Sequence, residues 1–82
     1  MEPAAIKALV EGQIPGSTVT VEGNGNKFQL IVVSEQFAGL TPVKKQQLVY
    51  ACINDHIATG DIHAVSIRTM TPEQWDKERK FL

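Results

Sequence analysis

A chain of 82 residues has room for one hydrophobic core, so a single domain over 1–82 is expected. Hydrophobic residues make up 43% and charged residues 21%, the balance of an ordinary folded domain rather than of a disordered or collagen-like chain. The formal net charge of -1 supplies no field to gather a polyanion, which weighs against nucleic acid as the main ligand.

No stretch approaches the roughly 18–20 consecutive apolar residues of a membrane span, and Met1 to Val10 lacks the basic start and apolar run of a signal peptide, so a cytoplasmic protein without membrane contact is expected. Cys52 is the one cysteine. It excludes an internal disulfide and any Cys-x-x-Cys motif, so metal or redox chemistry would need ligands from a partner.

From Glu2 to Ile14 the apolar residues Ile6, Leu9, Val10 and Ile14 recur at helical spacing, with Pro3 suited to the first turn and Pro15-Gly16 as the stop. The period then changes. Ser17 to Glu22 alternates Val19 and Val21 with polar residues, and Phe28 to Val33 is rich in β-branched residues, so both read as strands. Between them Gly23-Asn24-Gly25-Asn26 contains Asn-Gly, whose two residues tolerate the positive φ of a tight hairpin.

Ser34 to Leu40 reads as a connecting turn. Thr41-Pro42 then supplies an N-cap followed by proline at the first helical position. The helix is expected to run to about Ala58, with Leu48, Val49, Cys52, Ile53, His56 and Ile57 as its apolar stripe and Gly60 as its stop. Ile62 to Met70 alternates again and reads as a third strand, with His63, Val65 and Ile67 on one face and Ala64, Ser66 and Arg68 on the other. Thr71-Pro72-Glu73-Gln74 has the pattern of a capping box and opens a last helix through Trp75. The order helix, strand, strand, helix, strand, helix predicts an α+β fold in which helices cover one face of a three-stranded sheet.

Two segments narrow the reading further. Ile62-His63-Ala64-Val65-Ser66-Ile67, followed by Thr71-Pro72-Glu73-Gln74-Trp75, resembles the most recognisable part of the BolA family. Phe37-Ala38-Gly39-Leu40 with Val43-Lys44-Lys45-Gln46-Gln47-Leu48-Val49-Tyr50 is similar to the main-helix segment of its IbaG (YrbA)-like bacterial branch. The resemblance implies a KH-like fold, partnership with a monothiol glutaredoxin, and a 2Fe-2S cluster shared with that partner and its glutathione in iron-sulfur maturation, iron homeostasis and stress response. The histidine ligand it implies matches His63. It also implies a second ligand, histidine or cysteine, in the loop between the first two strands. Here that loop reads Gly23-Asn24-Gly25-Asn26-Lys27, and Lys27 stands where sequences of the same branch carry histidine. An ammonium has no lone pair for iron, so the fourth ligand stays open.

Other residues have simpler roles open to them. His56, near the end of the main helix, suits the helix dipole, and Cys52 suits core packing. Arg68, Lys44 and Lys45 are candidate contacts to the partner or to glutathione, because fixed positive charge suits a carboxylate. Tyr50 and Trp75 read as core or core-edge. A nucleic-acid-binding regulator is the alternative that a KH-like fold raises, though no Gly-x-x-Gly loop occurs near Phe37 to Val43. No nucleophile with a nearby base and no phosphate-binding glycine loop supports an enzyme. Self-association and the recipient of a cluster stay open.

Overall fold

The computed structural model describes residues 1–80; positions 81–82 of the expected domain span lie outside the described residues. The first helix, α1 (Pro3–Gln13), carries proline in its opening turn and buries Ile6 and Val10. The chain reverses at Gly16, whose φ of 79° is open to glycine. Strands β1 (Thr18–Asn24) and β2 (Lys27–Val33) then pair antiparallel, in register from Thr18↔Val33 to Asn24↔Lys27.

The ladder is longer than the sequence pattern predicts. Apolar alternation ends at Val21, but backbone pairing continues through polar residues because a hairpin ladder needs no apolar side chain to hold its hydrogen bonds. The connection is therefore only Gly25 and Asn26, and among the described residues positive φ falls on Gly25 (64°) but not on any asparagine. A glycine at the first central position is the type II′ pattern rather than the Asn-Gly pair expected. Gly23 matters for another reason. A Cβ there would stand 2.2 Å from the Lys27 carbonyl oxygen and 2.8 Å from the Phe28 ring.

The expected turn after β2 contains a short 3-10 segment, Glu35–Phe37, capped by the Ser34 hydroxyl, which accepts from the Gln36 amide at 3.1 Å. It drives Phe37 fully into the core. The long helix α2 (Pro42–Thr59) starts where Thr41 Oγ1 accepts from the Lys44 amide and ends at Gly60 in the left-handed region. Its buried residues are Val49, Cys52 and Ile53. Leu48, expected in the same stripe, is 39% exposed, because it lies at the margin of the arc centred on Val49 and Ile53.

Strand β3 (Ala64–Met70) pairs parallel to β2, giving the sheet order β1-β2-β3 with α2 as the crossover. The last helix, α3 (Pro72–Arg79), opens on a complete capping box: Thr71 Oγ1 accepts from the Gln74 amide, and the Gln74 side chain accepts from the Thr71 amide at 2.9 Å. The architecture is the expected α+β sandwich. Val19, Phe28, Leu30 and Val32 from one sheet face join Ile6, Val10, Phe37, Val49, Cys52, Ile53 and Ile62 in one core cluster. The opposite face is polar over most of its length, with Glu22, Gln29 and Ser66 in one row across the three strands. Among the described residues no helix is long and apolar enough to cross a membrane.

Candidate functional site at the hairpin tip

His63 lies between the left-handed stop at Gly60 and the first residue of β3. The chain reaches it in an obligatory path: the Ile62 amide donates to the His56 carbonyl at 3.1 Å, and the Ile62 side chain is 1% exposed. An isoleucine locked into the core on one side leaves its neighbour to face solvent. His63 is exposed.

Its backbone is held from the other side by the hairpin. The Asn26 carbonyl accepts from the His63 amide at 2.7 Å and from the Ala64 amide at 3.2 Å. The next residue, Lys27, is paired with Ala64 in the β2–β3 register, and adjacent strands lie about 4.8 Å apart. Lys27 is itself exposed, and its side chain shares the outer sheet face with Ala64 and Ser66. Beside them the outer sheet face forms an open depression lined by Glu22, Gly23, Lys27, Gln29, Ala64 and Ser66.

The remaining candidates separate by place. His56 sits in the last turn of α2 with its Nδ1 at 3.3 Å from Asp61 Oδ2, and that contact, with a hydrogen bond from Thr59, holds the Asp61 carboxyl below its ordinary range. Cys52 is buried and donates its thiol to the Leu48 carbonyl at 3.3 Å, and burial pushes the thiol up, away from the reactive thiolate. Arg68 lies on the outer sheet face and pairs with Glu78 of α3. Lys44 and Lys45 belong to the first turns of α2. At 1.5 Å per residue they stand roughly 20 Å along the helix from the end that leads to His63. The fold therefore fastens the His63 backbone to the hairpin tip, sets Lys27 opposite Ala64, places Arg68 farther along β3, and leaves Lys44 and Lys45 at the opposite end.

Among the described residues no three His, Cys, Asp or Glu side chains converge as a metal site. His63 can supply one neutral nitrogen, and a complete coordination sphere would draw on other molecules. The part that periodicity could not supply is the carbonyl of Asn26. Its only signal in the sequence is the tight turn that contains it.

An α+β sandwich of this element order and sheet order has a known class. A family model described as BolA-like protein matches residues 9–74, and the chain belongs to the BolA family. It is 42% identical over 81 residues to the acid stress protein IbaG of Escherichia coli (strain K12), covering 99% of this chain and 96% of that protein. A solved bolA protein homologue from Coxiella burnetii has a TM-score of 0.82 at 32% identity, covering 93% of this chain and 97% of the other. The BolA domain of SufE1 from Arabidopsis thaliana has a TM-score of 0.76 at 28% identity, covering 87% and 92%. The Escherichia coli relative is named for acid stress rather than for a catalytic activity.

Proposed function

We propose that this chain is a non-enzymatic cytoplasmic adaptor that pairs with a monothiol glutaredoxin to share or transfer a 2Fe-2S cluster. One observation carries the reading. The backbone that carries the exposed imidazole of His63 is hydrogen-bonded to the hairpin tip, so the histidine is presented from an anchored segment rather than from a free loop. A neutral imidazole nitrogen is a good iron ligand, and its use in place of a thiolate raises the reduction potential and makes ligation sensitive to acid. The glutaredoxin cysteine and its glutathione would provide two further ligands. The cytoplasm suits such a complex, because its thiols are kept reduced.

Arg68 lies on β3, the strand that follows His63, and is a candidate contact for the same docked molecule, though it would first have to leave Glu78. Lys44 and Lys45 would touch only a partner that extends along α2. Nucleic acid is the weaker reading. Three of the basic side chains already face acids, as Arg68 with Glu78, Lys77 with Glu73 and Arg79 with Asp76, which blunts the positive surface that phosphate binding needs.

The test is anaerobic reconstitution with a monothiol glutaredoxin and glutathione, read by visible spectrum and by complex mass. A one-to-one complex with a spectrum altered by this chain is expected, and His63→Ala should abolish the alteration while changing stability by no more than about 0.5 kcal/mol, as for an exposed side chain. Failure to form any complex, loaded or empty, sinks the adaptor reading. Binding that ignores His63 and falls steeply with salt would favour nucleic acid instead.

A further inference from the structure

The outward face of α2 carries a repeat that the core does not require. Val49, Cys52 and Ile53 seat the helix on the rest of the fold, and on the far side Thr41, Lys44, Leu48, Ala51, Asp55 and Ala58 are all exposed. Their spacing alternates between three and four residues, so at about 3.6 residues per turn they fall in one narrow stripe along the helix. This is the spacing by which two helices seat side by side along a seam. Lys44, Gln47, Leu48 and Ala51, with Leu40, line an open hollow on the stripe. The first four have the i, i+3, i+4, i+7 outline of the hole that a facing side chain enters. Leu48 in that hollow is 39% exposed, apolar surface that the single chain leaves in water.

The stripe is also symmetric about its own centre. Lys44 and Asp55 lie equally far from the midpoint between Val49 and Tyr50, and so do Leu48 and Ala51, and Thr41 and Ala58. A second α2 turned end for end about that midpoint therefore sets Lys44 against Asp55 of the second copy, Asp55 against its Lys44, and each Leu48 against an Ala51. A large side chain meets a small one at the centre. Opposite charges close the two ends, roughly 16 Å apart along the helix. Among the described residues the ion pairs join His56 to Asp61, Arg68 to Glu78, Lys77 to Glu73 and Arg79 to Asp76, so Lys44 and Asp55 are engaged in none of them. A parallel pairing would instead put Lys44 on Lys44 and Asp55 on Asp55, and like charges so placed repel.

We infer that this face of α2 is a self-recognition surface, on which a second copy of the chain docks antiparallel about a two-fold axis. Leu48 and Ala51 form its centre, and Lys44 with Asp55 of the other copy closes each end. A two-fold contact needs one surface that is complementary to itself, and the order of charges along the stripe meets that condition. A single pair of helices buries less than the roughly 1,200 Å² at which stable interfaces begin, so the dimer is weak and forms at high local concentration. The surface lies away from His63 and the hairpin tip, and the inference does not depend on cluster sharing. It does put self-association in competition with any partner that extends along α2, because both would use Lys44.

The experiment uses the chain alone, with mass followed by sedimentation from about 10 µM to about 1 mM, the range that brackets a weak contact, and amide chemical shifts recorded over the same series. The mass should rise toward that of a dimer, and the shifting amides should lie between Lys44 and Asp55 while those of Asn26 and His63 stay. Leu48→Asp should remain monomeric. Lys44→Asp and Asp55→Lys should each weaken association roughly five- to a hundredfold, since each turns two exposed attractions into two repulsions. The double swap Lys44→Asp/Asp55→Lys should return to within about threefold of wild type, and an equal mixture of the two single variants should associate as wild type does. His63→Ala should also match wild type. A chain that stays monomeric at about 1 mM overturns the inference, as does a dimer whose shifts fall on another face. Single variants that weaken association without rescue by the double swap or by mixing overturn the antiparallel pairing. Should Leu48→Asp lose its helical circular dichroism, the exposed charge variants decide. Loss of the glutaredoxin complex with the dimer intact would remove the adaptor reading and leave this inference standing.

Discussion

The two ends of the sheet are built on different terms. At the end where β2 and β3 finish, Val33, Met70 and Ser34 are buried, the Ser34 amide donates to the Met70 carbonyl at 2.9 Å, and Thr71 turns the chain into α3 through its capping box. Nearby the Gln46 side chain donates to the Ile67 carbonyl at 3.0 Å, fastening α2 to β3. At the other end the row Asn24, Lys27, Ala64 is exposed, and the carbonyl of Asn26 is the fixed point for His63. The exposed end can do without burial because its register is inherited through the ladder from the packed end. Stability and presentation are divided between the two ends of the same three strands.

The largest expected effect breaks both ends together. Phe37 is fully buried at the junction between β2 and α2, and Phe37→Ala should cost about 3–5 kcal/mol. A chain of this size has a total stability of about 4–12 kcal/mol, so urea denaturation should show a midpoint greatly lowered or no folded baseline. A loss below about 1 kcal/mol would mean that the 3-10 segment is not part of the core. Gly23→Ala should act on one end only. The added Cβ meets backbone rather than a movable side-chain tip, at 2.2 Å from the Lys27 oxygen, and overpacking of this kind costs about 1–3 kcal/mol. Amide chemical shifts of His63 and Ala64 should move with the hairpin tip, whereas those of Met70 and Thr71 should stay. Equal movement at both ends would show that the ladder does not isolate them.

The packed end is also the part that the sequence makes plain. Thr41-Pro42 and the Thr71 to Gln74 box each act through contacts within a few residues, so a local pattern is enough to locate them, as it is for Gly60 at the far end of α2. Apolar alternation likewise places Val19, Phe28, Leu30 and Val32 on one sheet face. Phe37 escapes the same logic, since a single aromatic among polar and small residues has no period, and only the 3-10 turn aims it inward. Leu48 fits the helical spacing yet stays partly exposed, because spacing defines an arc and not the width of the surface that covers it. At the hairpin tip the pairing continues where apolar alternation has stopped, so its true turn, Gly25-Asn26, lies later than the pattern of Asn-Gly suggests. His63 stands out only by resemblance to the BolA family. A lone histidine carries no period, and Lys27, which pairs with the Ala64 beside it, is 36 positions away in the chain but one strand away in the sheet.

The smallest expected effect concerns the link between the two regimes, the turn from α2 into His63. His56 and Thr59 hydrogen-bond the Asp61 carboxyl and hold it below its ordinary value of 3.8. A group whose folded-state value is lowered stabilises the fold above its unfolded value, and that contribution is lost as pH falls through the lower, folded value. Asp61→Asn should therefore lower the thermal midpoint slightly at about pH 5–6, and the difference from wild type should vanish toward about pH 2–3, where both chains are neutral at this position. The carboxyl is exposed, so the effect should be smaller than that of either packing substitution and should shrink further in about 1 M salt, where the screening length falls to roughly 3 Å. A difference that persists unchanged to low pH would assign the role of Asp61 to the backbone shape of the turn rather than to its charge, and the turn would then belong with the packed end.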